Sequence, residues 1–239
     1  IQRRSDVNLE PEKVRQERTL VFSPEARRLY RRAEEEFVLS GKETIWATDV
    51  YVYLRRLCGG VIDGKLVWTG KMDEIISLLS GELYKTPTVI WFHFNDEIYT
   101  AMWLLAKIGI QAYVLTGETT PEERRAIERQ FRESDAINVI LAQQAVAQYG
   151  MDLSRADTVI YYSLNPAALV DQQSQDRVVN LNKNTTLLYL YLLVKGSVDE
   201  DLYLARTSKK WVSTADLNEA IKKGILERRA RYTPRKVSV

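Results

Sequence analysis

Two clusters in the latter half of this chain carry side chains of the types that hold charged oxygens. The first follows the apolar run Val139-Ile140-Leu141 and contains Gln143, Gln144 and Gln148, then Gly150 and Asp152 before Leu153. The second is Gln173-Ser174-Gln175-Asp176-Arg177. Amides both donate and accept hydrogen bonds, glycine lets backbone approach a ligand closely, and arginine presents a planar fork of donors that matches phosphate. By residue type alone each has a plainer reading, with Arg177 as a solvated helix-surface residue and Gly150 as the end of a turn.

The groups that grip a nucleotide elsewhere are missing. A P-loop needs glycines for backbone approach and Gly-Lys-Ser/Thr for a cation and a metal-binding hydroxyl. Gly-Lys occurs at 41–42, 64–65 and 70–71, but Glu43, Leu66 and Met72 follow, so none fits. No Gly-x-Gly-x-x-Gly fingerprint is present. Asp96-Glu97 superficially resembles a magnesium-binding acidic pair; without a P-loop it reads as a helix opening, with Asn95 as cap. A single histidine, His93, and a single cysteine, Cys58, exclude paired-His zinc, cysteine-cluster metals and internal disulfides. No metal ligands are therefore expected; His93 reads as a packed polar residue on a core strand and Cys58 as buried.

The elements that must position these clusters follow from hydrophobic periodicity. From Pro87 on, apolar strands at 89–94, 112–115, 137–141, 158–163 and 186–194 alternate with helices at 96–107, from Pro121 and over 167–178. Ile98, Met102 and Leu105 share one helix face, Ile127 and Phe131 another, and Val198, Leu202 and Ala205 face inward on a closing helix. Thr120-Pro121-Glu122-Glu123 is a capping box with proline at the first helical position. Near-continuously apolar strands alternating with helices predict an α/β fold, a parallel sheet covered by helices on both faces. Ligands bind such sheets beyond the carboxyl ends of the strands. Those ends are Asn95-Asp96, Thr116-Gly117-Glu118-Thr119, Gln143-Gln144 and Ser163-Leu164-Asn165.

Upstream, residues 1–22 are polar and weakly patterned, like a linker or extended arm. Ser23-Pro24-Glu25 opens a helix with Ala26, Leu29 or Tyr30, Ala33 and Phe37 as its stripe. A second helix, 44–57, ends at Gly59-Gly60, residues 61–68 form a turn or hairpin, and a helix from Lys71 buries Met72, Ile75, Ile76 and Leu79. The division expected is a linker (1–22), a helical subdomain (23–86), an α/β lobe (87–210) and a basic tail (211–239). Trp46, Trp68, Trp91 and Trp103 are expected in the core.

Composition bounds the function classes. With 45% hydrophobic and 28% charged residues, the chain can build a core, and no apolar run reaches the ~18–20 residues that span a bilayer. A cytoplasmic protein is the expectation, and the opening Ile-Gln-Arg-Arg reads as an excised segment. Net charge is only +2, but Arg27, Arg28, Arg31 and Arg32 cluster early, and Lys222, Lys223, Arg228, Arg229, Arg231, Arg235 and Lys236 crowd the end. Such clusters line either a solvated face or a nucleic-acid contact. Trp211, beside Lys209-Lys210, has a ring that can stack on a base, though that is not the favoured reading.

Taken in order, the motifs resemble the C-terminal half of a Swi/Snf-type superfamily-two helicase, in a version closer to phage or bacterial members. Arg3-Arg4-Ser5-Asp6-Val7 and Val21-Phe22-Ser23-Pro24-Glu25 with Tyr30 resemble the linker between the two motor lobes. Leu54-Arg55-Arg56-Leu57-Cys58, then Lys71 and Ile75, resemble the helical segment before the second lobe. Residues 89–95 resemble the fourth motif, 144–153 the fifth, and Gln173 with Arg177 the sixth; Lys195-Gly196-Ser197-Val198-Asp199-Glu200 and Lys209 match the usual continuation. The resemblance implies a RecA-like lobe that works with an N-terminal lobe of the same parent, the two closing on ATP and Mg while tracking along DNA without reading sequence. It implies a phosphate-facing catalytic role for Arg177, nucleotide-facing roles for Gly150, Asp152 and Gln173, and nucleic-acid contacts for Thr116, Gly117, Gln144 and Gln148. The phosphate grip belongs mainly to the N-terminal lobe, so this segment alone is expected to be inactive.

Two departures keep other readings open. Ala147-Gln148 stand where the fifth motif has a glycine pair, and Asn180, Asn182 and Lys183 stand where the sixth has a second arginine followed by Gly-Gln. Asparagine cannot supply a finger's positive charge. A non-catalytic nucleic-acid-binding or scaffold module degenerated from such a motor is therefore the alternative. An unrelated α/β nucleotide enzyme such as a methyltransferase is disfavoured by the missing glycine fingerprint.

Overall fold

The computed structural model describes residues 12–39, 45–179, 186–207, 219 and 223–228, apart from the side chains of 37–39, 45–48 and 168. The features read at residues 3–7, the Phe37 and Trp46 side chains, Asn180, Asn182, Lys183, Lys209, Trp211 and most of the basic tail lie outside the described residues.

The elements run β1 (Lys13–Leu20), α1 (Pro24–Leu39), α2 (Ile45–Gly59), β2 (Val61–Ile62), β3 (Lys65–Leu66), α3 (Gly70–Ser80), β4 (Thr88–Phe92) and α4 (Asn95–Lys107). They continue with β5 (Ala112–Leu115), α5 (Pro121–Glu133), β6 (Val139–Gln143), a 3-10 helix (Gln144–Tyr149), β7 (Thr158–Tyr161), α6 (Ala168–Asp176), β8 (Leu187–Val194) and α7 (Val198–Thr207). They fall into two compact units, Ile1–Arg18 with Asp73–Leu192, and Thr19–Met72 with Leu193–Val239.

In the first unit, β4, β5, β6 and β7 belong to a six-stranded sheet of order β1-β8-β7-β4-β6-β5, and β4 pairs with β6 and β7, β5 with β6, and β7 with β8, all in parallel. All five residues of β4 and all four of β7 are buried, as strands covered on both faces must be. Helices flank the sheet; α4 packs on β4, β5 and β6 through Ile98, Ala101 and Leu105. Phe131 is fully buried on α5, where Thr120 caps the first turn by accepting the Glu123 N–H while Glu123 returns to the Thr120 N–H at 2.8 Å.

The second unit is helical. Ser23 Oγ accepts the Ala26 N–H at 3.2 Å at the start of α1, which buries Ala26, Tyr30 and Ala33. Tyr30, not Leu29, takes the inward position, and its hydroxyl accepts the Val198 N–H at 2.7 Å. Gly60 ends α2 at φ 79°, where an added Cβ would sit 2.1 Å from the Trp68 carbonyl oxygen, so only glycine fits. β2 and β3 form the small hairpin expected over 61–68. Trp68 packs edge-on against Phe22, ring centroids 5.0 Å apart.

Several expectations change. Part of the N-terminal arm is strand β1, an edge strand whose exposed, mostly charged residues give no apolar alternation. Met102 and Trp103 are 40% and 55% exposed; Ala101 faces inward instead, and Lys107 lies over the Trp103 ring. Ile76 is only half-buried. Phe94, not Asn95, occupies the N-cap of α4, because its N–H is taken by Glu97 from inside the helix. His93 follows β4 and is half-buried.

The early arginines also divide. Arg27 lies over Phe22 and donates to the Lys195 and Gly196 carbonyls, whereas Arg28, Arg31 and Arg32 line an exposed face. Arg228, counted by sequence among the basic tail, is buried between Glu34 and Asp201. Cys58 is buried as expected.

Candidate functional site

Parallel register puts the carboxyl ends of four strands on one edge. Phe92 is level with Gln143, Leu115 with Ala142, and Trp91 with both Ala142 and Tyr161. The chain leaves this edge through the 93–95 corner, the 116–120 loop, the 3-10 helix and the 162–167 segment. These are the segments that sequence patterning marked as polar and irregular.

On the first side of this rim, Thr116 is buried; its N–H donates to Thr119 Oγ1 at 2.9 Å and its own Oγ1 accepts the Glu118 N–H at 3.3 Å. These bonds turn the loop so that Gly117 is exposed, and the Gly117 N–H donates to Gln143 Oε1 at 3.3 Å. Gln144 has no exposed surface, and its Nε2 donates to Asp171 Oδ1 at 3.5 Å. Gln148 is exposed. Gly150 closes the 3-10 helix in the left-handed region, φ 76° and ψ 26°, and a Cβ there would meet open space. Its glycine therefore answers to backbone conformation rather than crowding.

On the second side, Arg177 caps the C-terminus of α6 and is half-buried. Its N–H bonds the Gln173 carbonyl at 3.2 Å, its Nε donates to Ala147 O at 2.8 Å, and its carbonyl accepts the Leu153 N–H at 2.9 Å. Gln173 is half-buried beside it, and Asp152 is exposed, its carboxylate accepting the Ser154 N–H at 3.0 Å. The fold thus brings Arg177 to the segment carrying Gln148, Gly150 and Asp152. Thr116 and Gly117 join the start of that same segment, at Gln143.

The supports that join different elements of the rim had no local signal in the sequence, because their partners are far apart along the chain. Asp171 accepts from Gln144 and from Gln175 Nε2, the latter at 3.0 Å. Ser174, fully buried, bonds the Tyr161 hydroxyl at 2.9 Å and the Asp171 carbonyl at 2.7 Å, fastening α6 to β7. Tyr161 stacks on Tyr191 at 4.8 Å, and burial pushes its pKa well up, so it serves as a neutral hydroxyl. Glu97, fully buried, accepts from Ser163 Oγ at 2.5 Å, and that oxygen accepts the His93 N–H at 2.7 Å. This carboxylate locks the β4–α4 corner to the end of β7, which is a different task from a metal ligand's. Hydrogen bonds from Thr120 hold the exposed Glu123 carboxyl below its usual range.

Among the described residues no group of three or more His, Cys, Asp or Glu could hold a metal ion. The rim offers something else: a guanidinium fixed through one nitrogen, exposed backbone and amide donors, and a glycine-lined approach. Those groups suit oxyanions such as phosphates.

The helicase conserved C-terminal domain family matches residues 70–182, which contain all of these site residues. Protein CHROMATIN REMODELING 19 of Arabidopsis thaliana is 27% identical over 164 residues, covering 68% of this chain and 22% of that protein. The chain spans only 6–22% of the length of the first curated relatives it matches. The C-terminal part of the Fun30 ATPase domain superposes with TM-score 0.72 at 12% identity, covering 91% of this chain and 99% of that one. The Sulfolobus solfataricus SWI2/SNF2 ATPase core, solved with double-stranded DNA, superposes with TM-score 0.70 at 17% identity, covering 92% of this chain and 48% of that one. No helix among the described residues is long and apolar enough to cross a membrane. Residues 70–182 match the helicase conserved C-terminal domain family, and the chain shares its RecA-like α/β fold with the C-terminal lobes of SWI2/SNF2-type ATPases.

Proposed function

We propose that the chain is the C-terminal motor lobe of an ATP-dependent DNA helicase or translocase, active only with the N-terminal lobe of its parent. In this reading Arg177 faces the outer phosphates of ATP, with Gly150, Asp152 and Gln173 lining the nucleotide side. Gly117 and Gln148 touch the DNA backbone directly, while buried Thr116 and Gln144 set the shape of the loops that do so. The observation carrying this is the Arg177 Nε bond to Ala147 O, which ties the phosphate-type cation to the DNA-side segment. Among the described residues only Nε of that guanidinium is bonded, leaving its two amino groups for an anion.

ATP supplies the transferable phosphoryl group and Mg the neutralising charge; both would be held mainly by the other lobe. This lobe's residues would orient and stabilise. A guanidinium held in place before reaction loses little freedom when phosphate charge develops. Contacts to backbone phosphates position without reading bases, so DNA recognition is sequence-indifferent. DNA, ATP and reduced thiols coexist in the cytoplasm, the compartment this reading assigns.

The test uses the full-length parent in steady-state ATP hydrolysis with saturating DNA. Arg177→Ala should cut turnover, within the ~10³–10⁵ span of arginine fingers, while the fold persists. An active parent indifferent to Arg177→Ala removes this arginine from the phosphates. Asn180, standing where the sixth motif of the family it resembles would place a second arginine, favours the non-catalytic module as second reading. Asn180→Arg should raise turnover in a motor, and a parent that binds ATP, is inactive and gains nothing from it supports the module.

A further inference from the structure

Tyr149 and Arg124 form a stacked pair on this rim that the reading above leaves without a task. Tyr149 is the last residue of the 3-10 helix, between Gln148 and Gly150, and remains 51% exposed. A large aromatic left that exposed on a polar loop gains little from folding unless it holds something. The Arg124 guanidinium carbon lies 3.9 Å from the centre of the Tyr149 ring. Arg124 stands in the first turn of α5, where its N–H bonds Thr120 O at 2.9 Å and its Nε reaches the same carbonyl at 3.5 Å.

Two consequences follow. The pair joins the loop carrying Thr116 and Gly117 to the segment carrying Gln144 and Gln148, a second tie beside the Gly117 bond to Gln143. It also fixes the guanidinium by one face and one nitrogen, while its two amino groups have no partner among the described residues. Among the described residues no carboxylate pairs with it. Glu123 turns to Thr120, Glu128 on the same helix pairs with Arg132 at 4.0 Å, and Glu118 accepts from the Tyr99 hydroxyl at 3.3 Å. A flat, pre-oriented, un-neutralised guanidinium with its fork outward is the geometry that grips a phosphate through two nitrogens.

We propose that Arg124 is a further DNA-backbone phosphate contact and that Tyr149 is the positioning residue that holds its guanidinium flat on the rim. This rests on the reading of the rim as DNA-facing, and it adds a charged contact to a set that otherwise consists of neutral donors. The ring supplies orientation and the guanidinium supplies charge, so the two act as one unit. Lysine at 124 would keep the charge but lose both the stacking plane and the fork.

The experiment is anisotropy of a labelled arbitrary-sequence duplex titrated with the 239-residue chain at several salt concentrations. Arg124→Ala should make the log–log salt slope shallower by about 0.9, the value of one phosphate contact on duplex DNA. Tyr149→Ala should weaken binding several-fold in the unsubstituted background and add nothing in an Arg124→Ala background. Tyr149→Phe, which keeps the ring, should recover the loss, and circular dichroism checks that each variant folds. An unchanged slope in Arg124→Ala overturns the proposal while leaving the DNA-facing rim standing. Equal weakening by Tyr149→Ala in both backgrounds overturns the positioning role. A chain that binds no duplex overturns both this proposal and the reading beneath it.

Discussion

Arg177 and Arg228 are both drawn into the protein, and the two units use them in opposite ways. In the second unit, Arg228 is 7% exposed, with Nε 3.0 Å from Glu34 and NH1 2.5 Å from Asp201. Its helical segment docks through fully buried Ile225, and a Cβ at Gly224 would come within 2.5 Å of the Asp201 carboxylate. The Lys71–Asp199 pair, 2.7 Å apart with the lysine side chain fully buried, belongs to the same unit. Both of these buried cations are met by carboxylates. On the rim of the first unit, Arg177 and Arg124 meet only carbonyls or a ring. Charge matched by opposite charge fixes a fold; charge held by neutral partners keeps its affinity for an anion that arrives later.

The sharpest way to break this contrast is to remove one cation from each region and compare stability. Lys71→Met leaves Asp199 buried and unpaired, which should cost about 3–5 kcal/mol in denaturant unfolding. Arg177→Ala should cost only the ~0.5–1.5 kcal/mol of one hydrogen bond. Equal losses would show that Arg177 is as structural as Lys71. Next in size, Ser163→Ala takes a donor from buried Glu97 and should destabilise by about 1–3 kcal/mol. A neutral outcome would mean that the β4–α4 corner does not depend on that carboxylate.

Thr120→Ala, removing the α5 cap that leads into Arg124, should cost about 1 kcal/mol. The smallest effect concerns pH. Burial raises the Glu34 and Asp201 carboxyls above their usual range despite Arg228. A carboxyl whose folded pKa is raised contributes stability below its unfolded pKa and loses it as pH climbs through the folded value. The stability of wild type minus that of Glu34→Gln should therefore fall as pH rises through and above the ordinary carboxylate range. A difference that grows with pH would contradict a raised Glu34.

Local patterning carried most of the fold. The capping box at Thr120, the Ser23-Pro24 helix start and the fully apolar β4 and β7 runs each declare themselves within a few residues. β1 escaped because an edge strand with charged, exposed residues lacks period-two burial. Met102 and Trp103 misled because aromatic and thioether side chains count as apolar wherever helix rotation places them. The rim was legible as strand ends, but its supports were not. Gln144 to Asp171 and Ser163 to Glu97 are pairs formed by the sheet's crossovers, invisible until the topology exists. Arg228 shows the reverse error, a residue in a basic run that packing turned into core.

The central claim is that this lobe carries a phosphate-facing arginine without a phosphate grip. Phosphate release from ATP by the purified chain, with and without DNA, tests it most directly, alongside the same chain joined to its parent's N-terminal lobe. No turnover from the chain alone and DNA-stimulated turnover from the joined lobes is the expected result. Turnover by the chain alone approaching the ~1–100 s⁻¹ of phosphoryl-transfer enzymes would contradict it.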